Sequence, residues 1–258
     1  MMTRREFLAS IGTGAITLAA GRQGRASEFN RFRVAQVTTG DRPPARPNAA
    51  FVLGQEVRFR TAVDVKLDRI VVPLGSHSVF DYPFLVWIGD GDFPPLDRRE
   101  TANLQAVLDS GGFLLVDNAG EGQDMAAFDR RFRAEIKRAF PDRSLAEVPP
   151  THVLMRSFYK VGSVAGRRAL RTTIEGLTRE DRLALVYSQN DLSGAWSRDG
   201  FGNWDFEAVP GGPLQREGAI RLGVNVVMYA LLLDYKDEQA HVDYLLRRRR
   251  LRPEDVGR

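Results

Sequence analysis

The stretch from Tyr82 to Gly120 restricts the fold of this chain more than any other. Phe84-Leu85-Val86-Trp87-Ile88 is an unbroken apolar run. A strand with one wet face would alternate, so this run fits a strand covered on both faces. It leads into Gly89-Asp90-Gly91-Asp92-Phe93. Asp97 then starts a helical pattern lasting to about Asp109, and Glu100, three residues on, completes a capping box. Gly111-Gly112 stops that helix. Phe113-Leu114-Leu115-Val116 is a second covered run, ending at Asp117-Asn118-Ala119-Gly120. Strand, helix and strand in close succession make a βαβ unit, whose strands lie parallel.

The flanking chain repeats this grammar. Phe32 to Val37 alternates as a first strand, and Gly40 to Asn48, with Pro43, Pro44 and Pro47, reads as a loop. Asn48 is placed to cap a helix running to about Val63. Ile70-Val71-Val72 marks a short strand. Met125, Phe128, Phe132, Ile136 and Phe140 mark an amphipathic helix closed by Pro141. Leu183 to Tyr187 is a third covered run, ending at Ser188-Gln189-Asn190-Asp191. Gly194 to Pro213 reads as a long Gly- and aromatic-rich loop, a length that in a compact domain is functional or mobile. Gln215 to Tyr235 is an apolar helix, and Lys236 to Leu251 a second, charged one. The expected fold is α/β: a single three-layer domain, mostly parallel in its sheet, with helices on both faces, of the flavodoxin-like kind.

Residues 1–26 stand apart from that domain. Arg4-Arg5 precede Phe7-Leu8, Ala9 to Gly21 is apolar and uncharged, and Gly24-Arg25-Ala26 offers small residues before a cut. That order is a twin-arginine signal peptide. Its apolar run of 13 residues is short of the roughly 18–20 needed to span a bilayer. The chain is therefore expected to use the Tat export machinery and to be periplasmic or membrane-associated. Arg22 and Arg25 leave cleavage and retention as an anchor both open. The domain follows over 27–235, and 236–258 form a charged helix and tail.

The net charge of +4 is concentrated at the two termini: four Arg against one acid in residues 1–26, and six Arg against two acids from Arg247 onward. The middle is slightly acidic, so no nucleic-acid groove is indicated. Arg247 to Arg250 read as a solvated helix end that can also touch anionic lipid or a partner. With no cysteine, disulfides and thiolate chemistry are excluded.

Several segments carry a family likeness. Arg46-Pro47-Asn48-Ala49, Asp81-Tyr82-Pro83-Phe84-Leu85 and Gly111-Gly112-Phe113-Leu114 with Asp117 resemble the bacterial family known as domain of unknown function 4159. So do Phe128-Asp129-Arg130-Arg131-Phe132, Phe140-Pro141, Phe158-Tyr159, Tyr187 to Leu192, and Arg221 to Asn225. The resemblance implies a fold like class I glutamine amidotransferases, and relatives tied to membrane anchors; it implies no activity. In that fold the nucleophilic cysteine sits in a turn ending Cys-Ala-Gly. Asn118, before Ala119-Gly120, stands in its place, and an amide cannot serve as a thiolate-type nucleophile. Glutaminase chemistry is thus not expected. Where the family more often has Gly-His-Gly-Asn, Asp90 and Asp92 replace the His and Asn, which weakens any imidazole role.

Three polar strand ends remain as the candidate site, since ligands in open parallel sheets bind beyond the carboxyl ends. Asp90, Asp117 and Asp191 are the candidate catalytic groups, with His77 as an acid or base near the sheet mouth. Asp92, Asn118, Asn190, Trp196 and Trp204 are candidate ligand contacts. Converging carboxylates can hold a divalent cation or hydrogen-bond a sugar, but Asp and Asn also cap helices after strands in any such fold. No residue is assigned to a metal. His77, His152 and His241 lack zinc spacing, and no nucleophile elbow surrounds Ser188. Trp196, Phe201, Trp204 and Phe206 suit either an aromatic lid over a ligand or a loop folded on itself. The leading expectation is a noncatalytic module for a small polar ligand or envelope partner. A metal-assisted hydrolase acting on a glycan and an assembly scaffold are the alternatives.

Overall fold

The computed structural model describes residues 31–179 and 181–250, with the backbone alone over 233–250. The expected signal peptide and the tail past Arg250 lie outside the described residues, and so do the side chains of Arg247 to Arg250.

The three covered runs become the centre of one sheet. Its strands are β1 (Ala35–Thr38), β2 (Ile70–Pro73), β3 (Phe84–Gly89), β4 (Phe113–Asn118), β5 (Ala146–Glu147), β6 (Glu175–Arg179) and β7 (Arg182–Ser188). The spatial order is β2-β1-β3-β4-β7-β6-β5. The first five in that order are parallel, while β6 and β5 add an antiparallel edge. This is the flavodoxin-like winding, with its switch point between β1 and β3. Trp87, Val116 and Tyr187 lie level across β3, β4 and β7, so the three polar ends emerge on one rim. β5 and β6 are short and polar, and hydrophobic patterning gave no sign of them.

Strand alternation sorts the side chains into two cores. Phe84, Val86, Ile88, Phe113 and Leu115 face one helical layer: α1 (Ala49–Arg60), α4 (Leu192–Trp196) and α5 (Gly212–Arg250). Leu85, Trp87, Leu114 and Val116 face the other: α2 (Arg98–Asp109) and α3 (Gly122–Ala139). The Asp97–Glu100 capping box forms as expected, with bonds of 2.7 and 2.9 Å. The second oxygen of Glu100 also accepts the Gly40 amide at 2.8 Å, which pins the loop after β1 to α2. At Gly89, a Cβ would fall 1.8 Å from the Phe128 ring, so only glycine lets α3 cross the end of β3 this closely.

Three expectations are corrected. The Asn48 side chain does not cap α1; its amide donates to the Arg198 carbonyl at 3.1 Å, and the helix stops at Arg60. The two expected carboxyl-terminal helices are one, because no Gly or Pro lies between Gly223 and Pro253 to end it where the composition changes. The start of the long loop is helical: α4 occupies Leu192–Trp196, and all five of its residues are buried. Among the described residues, no helix is long and apolar enough to cross a membrane.

Candidate functional site

Asp117 and Asn118 are neighbours, but alternation along β4 sends them to opposite faces of the sheet. Asp117 shares the face of Phe113 and Leu115 and meets the start of α4. Its Oδ1 accepts the Leu192 amide at 2.9 Å, and its Oδ2 accepts the Ser193 amide at 2.7 Å and the Ser193 hydroxyl at 2.6 Å. Asn118 faces α3. Its amide donates to the Met125 carbonyl at 2.9 Å and the Tyr187 hydroxyl at 3.3 Å, while its carbonyl accepts the Gly120 amide at 3.2 Å. It therefore fastens the turn after β4 to α3.

Asp191 meets Asp117 from the other side of α4's first turn. With φ at 53°, its backbone is left-handed, a conformation that Asp tolerates because its short side chain bonds locally. Its Oδ1 accepts the Gly194 amide at 2.9 Å and approaches the Ser193 hydroxyl at 3.4 Å. Its Oδ2 accepts from Arg46 Nη2 at 2.9 Å and Arg167 Nε at 2.5 Å. The first three amides of α4, which would otherwise be orphans, are thus all taken by two carboxylates.

Both acids are fully buried. Burial, and then the Asp191 carboxylate beside it, push the Asp117 carboxyl up to about 6, against the pull of its three donors. Asp191 is held by cations. Arg167 also reaches Glu121, whose carboxyl it draws below its ordinary value. Arg46 and Arg167 both lie over the Phe206 ring, at 3.8 and 5.3 Å from its centroid. Arg46 Nε and Arg168 Nε are buried without a hydrogen-bond partner.

The other expected site residues lie elsewhere. Asp90 pairs with Arg42 at 2.9 Å and Asp92 with Arg131 at 3.2 Å, both exposed, and neither joins the Asp117–Asp191 pair. Arg42, Pro43, Pro44, Phe93 and Phe128 close the crevice at the switch point to about 20 Å³. His77 stands on an exposed 3-10 turn between β2 and β3, its ring 5.3 Å from that of Phe80. Asn190 is saturated: its carbonyl accepts the Leu170 and Arg171 amides, and its amide donates to the Val164 and Arg171 carbonyls. It staples the 164–171 segment to the rim. Trp196, a candidate ligand contact, is 1% exposed and lies with Leu53 against Gly223, because α4 turns it inward. Among the described residues, no three His, Asp or Glu side chains gather as a metal site.

Of the two tryptophans expected as ligand contacts, Trp204 stays accessible, at 40%, and Phe201 in the same segment is exposed as well. Trp204 borders a cavity of about 500 Å³ between the end of α1, the segment after α4 and the first turns of α5. Patterning did not single out Arg167 or Ser193, and it gave Arg46 and Phe206 no part in a carboxylate clamp. The available signal was charge: from Ser163 to Thr173 there are three arginines and no acid, so their partners had to come from elsewhere in the fold.

The match to known families covers most of the chain. A family model described as a domain of unknown function (DUF4159) matches residues 33–231. No curated protein matches.

Proposed function

The chain belongs to the DUF4159 family, and from that premise, which brings no activity with it, we propose that the domain is a noncatalytic binding module. It takes a small polar ligand or an envelope partner at the rim formed by the ends of β4 and β7 and by the aromatic segment after α4. One observation carries this reading. Asp117 and Asp191 are fully buried and each of their oxygens already accepts from a group of the fold, so both serve to hold the start of α4 and Arg46 and Arg167 in place rather than to face a substrate or an ion. The open cavity beside Trp204 is lined by Glu207 and Ala208, which follow the Phe206 that packs on Arg46 and Arg167, and it is the size of ordinary ligand pockets. The Arg4-Arg5 pair and the apolar run after it support export by the twin-arginine route, which would place the module in the periplasm or at a membrane.

The test is recovery of the protein from the exported fraction, native mass spectrometry of what accompanies it, and thermal shift against oligosaccharides and divalent ions. A saturable shift, with the ligand recovered chemically unchanged and with binding weakened by Trp204→Ala, is the expected result. Conversion of any ligand to product, abolished by Asp191→Asn, would overturn the reading.

A further inference from the structure

Trp204 lies between two arginines. The guanidinium carbon of Arg198 is 3.8 Å from the indole centroid and that of Arg216 is 4.3 Å away. Arg216 is 8% exposed. Its Nη1 and Nη2 donate to the backbone carbonyls of Ala195 and Phe206. Among the described residues it pairs with no carboxylate, although buried charges ordinarily have one. The nearby acids are already engaged. Glu56 receives both Arg60 and Arg198, and Glu217 receives both Arg60 and Arg221. Burial and the neighbouring Arg198 both draw the Arg216 guanidinium down, and no acid raises it. Arg198 Nε is buried without a partner. Both arginines and the indole line the same open cavity of about 500 Å³, with Ala208 and Ile220 as apolar wall.

We propose that this cavity is a binding site for a small, ring-bearing organic carboxylate, whose anionic head faces Arg198 and Arg216 while its body packs on Trp204 and Ile220. This names the ligand class for the binding module proposed above and rests on that reading. The carboxylate supplies the counter-charge that the fold withholds from Arg216, and its planar oxygens suit a guanidinium fork. The ring suits the indole and the aliphatic wall. Glu207, exposed at the same cavity and without an ion pair among the described residues, repels an entering anion and sets an upper limit on affinity.

Trp204 is also the reporter, because Trp87 and Trp196 are buried. Benzoate, 2-naphthoate and glucuronate are titrated against indole fluorescence beside their neutral amides. The expected result is saturable quenching by at least one carboxylate and none by its amide. Arg198→Gln should weaken binding about tenfold or more. Glu207→Gln should tighten it several-fold. Arg216→Gln, like Arg198→Gln, should weaken it. Circular dichroism confirms that each variant is folded, and Arg216→Lys, which keeps the charge but loses the planar fork and should also bind more weakly, stands in if Arg216→Gln does not fold.

Equal response to acid and amide, or none to any of the three acids at millimolar concentration, overturns the carboxylate assignment. In that case a different ligand recovered unchanged from the exported protein leaves the module reading intact. Carboxylate binding accompanied by turnover removes the module reading and keeps the assignment.

Discussion

The protonation of Asp117 should govern how the stability of this fold depends on pH. The residue is sealed from solvent, and burial together with Asp191 holds its carboxyl near 6 despite three donors. In the unfolded chain the same group returns to about 3.9. Between those values the folded state binds a proton that the unfolded state does not. The contribution of Asp117 to unfolding free energy therefore falls as pH rises through that window, and levels off above the folded value. A separation of about two pKa units corresponds to about 3 kcal/mol.

Asp117→Asn cannot titrate. The stability of the wild type relative to this variant should therefore drop by about 3 kcal/mol between about pH 4 and about pH 7. The subtraction also cancels Asp92, Glu121 and Glu217, whose carboxyls arginines hold low and which lose stability in the opposite direction, as pH falls. Urea denaturation at stepped pH measures the gap. A carbon-detected NMR titration of Asp117 in the wild type reads the same event without the variant. A gap that stays constant, or that grows in the wild type's favour as pH rises, would refute the reasoning: the donors from Leu192 and Ser193 would then outweigh burial and Asp191, keeping the carboxylate anionic throughout.

Other substitutions separate core, clamp and rim. Gly194→Ala puts a methyl 2.6 Å from both Asp191 oxygens, so it should cost about 3 kcal/mol in chemical denaturation. Trp196→Ala should cost about 3–5 kcal/mol, and Trp204→Ala less than about 1 kcal/mol; equal losses would contradict the burial of one and the exposure of the other. Arg167→Met leaves the buried Asp191 with Arg46 as its one ion-pair partner among the described residues, at a cost of about 2–3 kcal/mol. Adding Asp191→Asn to that variant should recover part of the loss, measured as a shift in melting temperature.

The sheet was legible because its signals are local. An all-apolar run bounded by glycine and acid can be read without knowing its neighbours, and Asp97 with Glu100 marks a helix start within four residues. β5 and β6 were not legible, because β5 is two exposed residues at the edge and β6 beside it has only two buried residues, so neither carries an apolar run. The change from apolar to charged residues near Tyr235 looked like a helix boundary, but composition does not break hydrogen bonds where Gly and Pro are lacking.

The sequence alone determined that acids and amides would stand at the ends of covered parallel strands. Tertiary structure decided which of them meet. Asp117 and Asp191 converge because β7 lies beside β4 and the following helix turns back over it, while Asp90 and Asp92 go to arginines of other elements. A guanidinium takes whichever carboxylate the packed layers bring within reach. That choice joins Arg46 and Arg167 to Asp191 across long stretches of chain, and no local pattern encodes it.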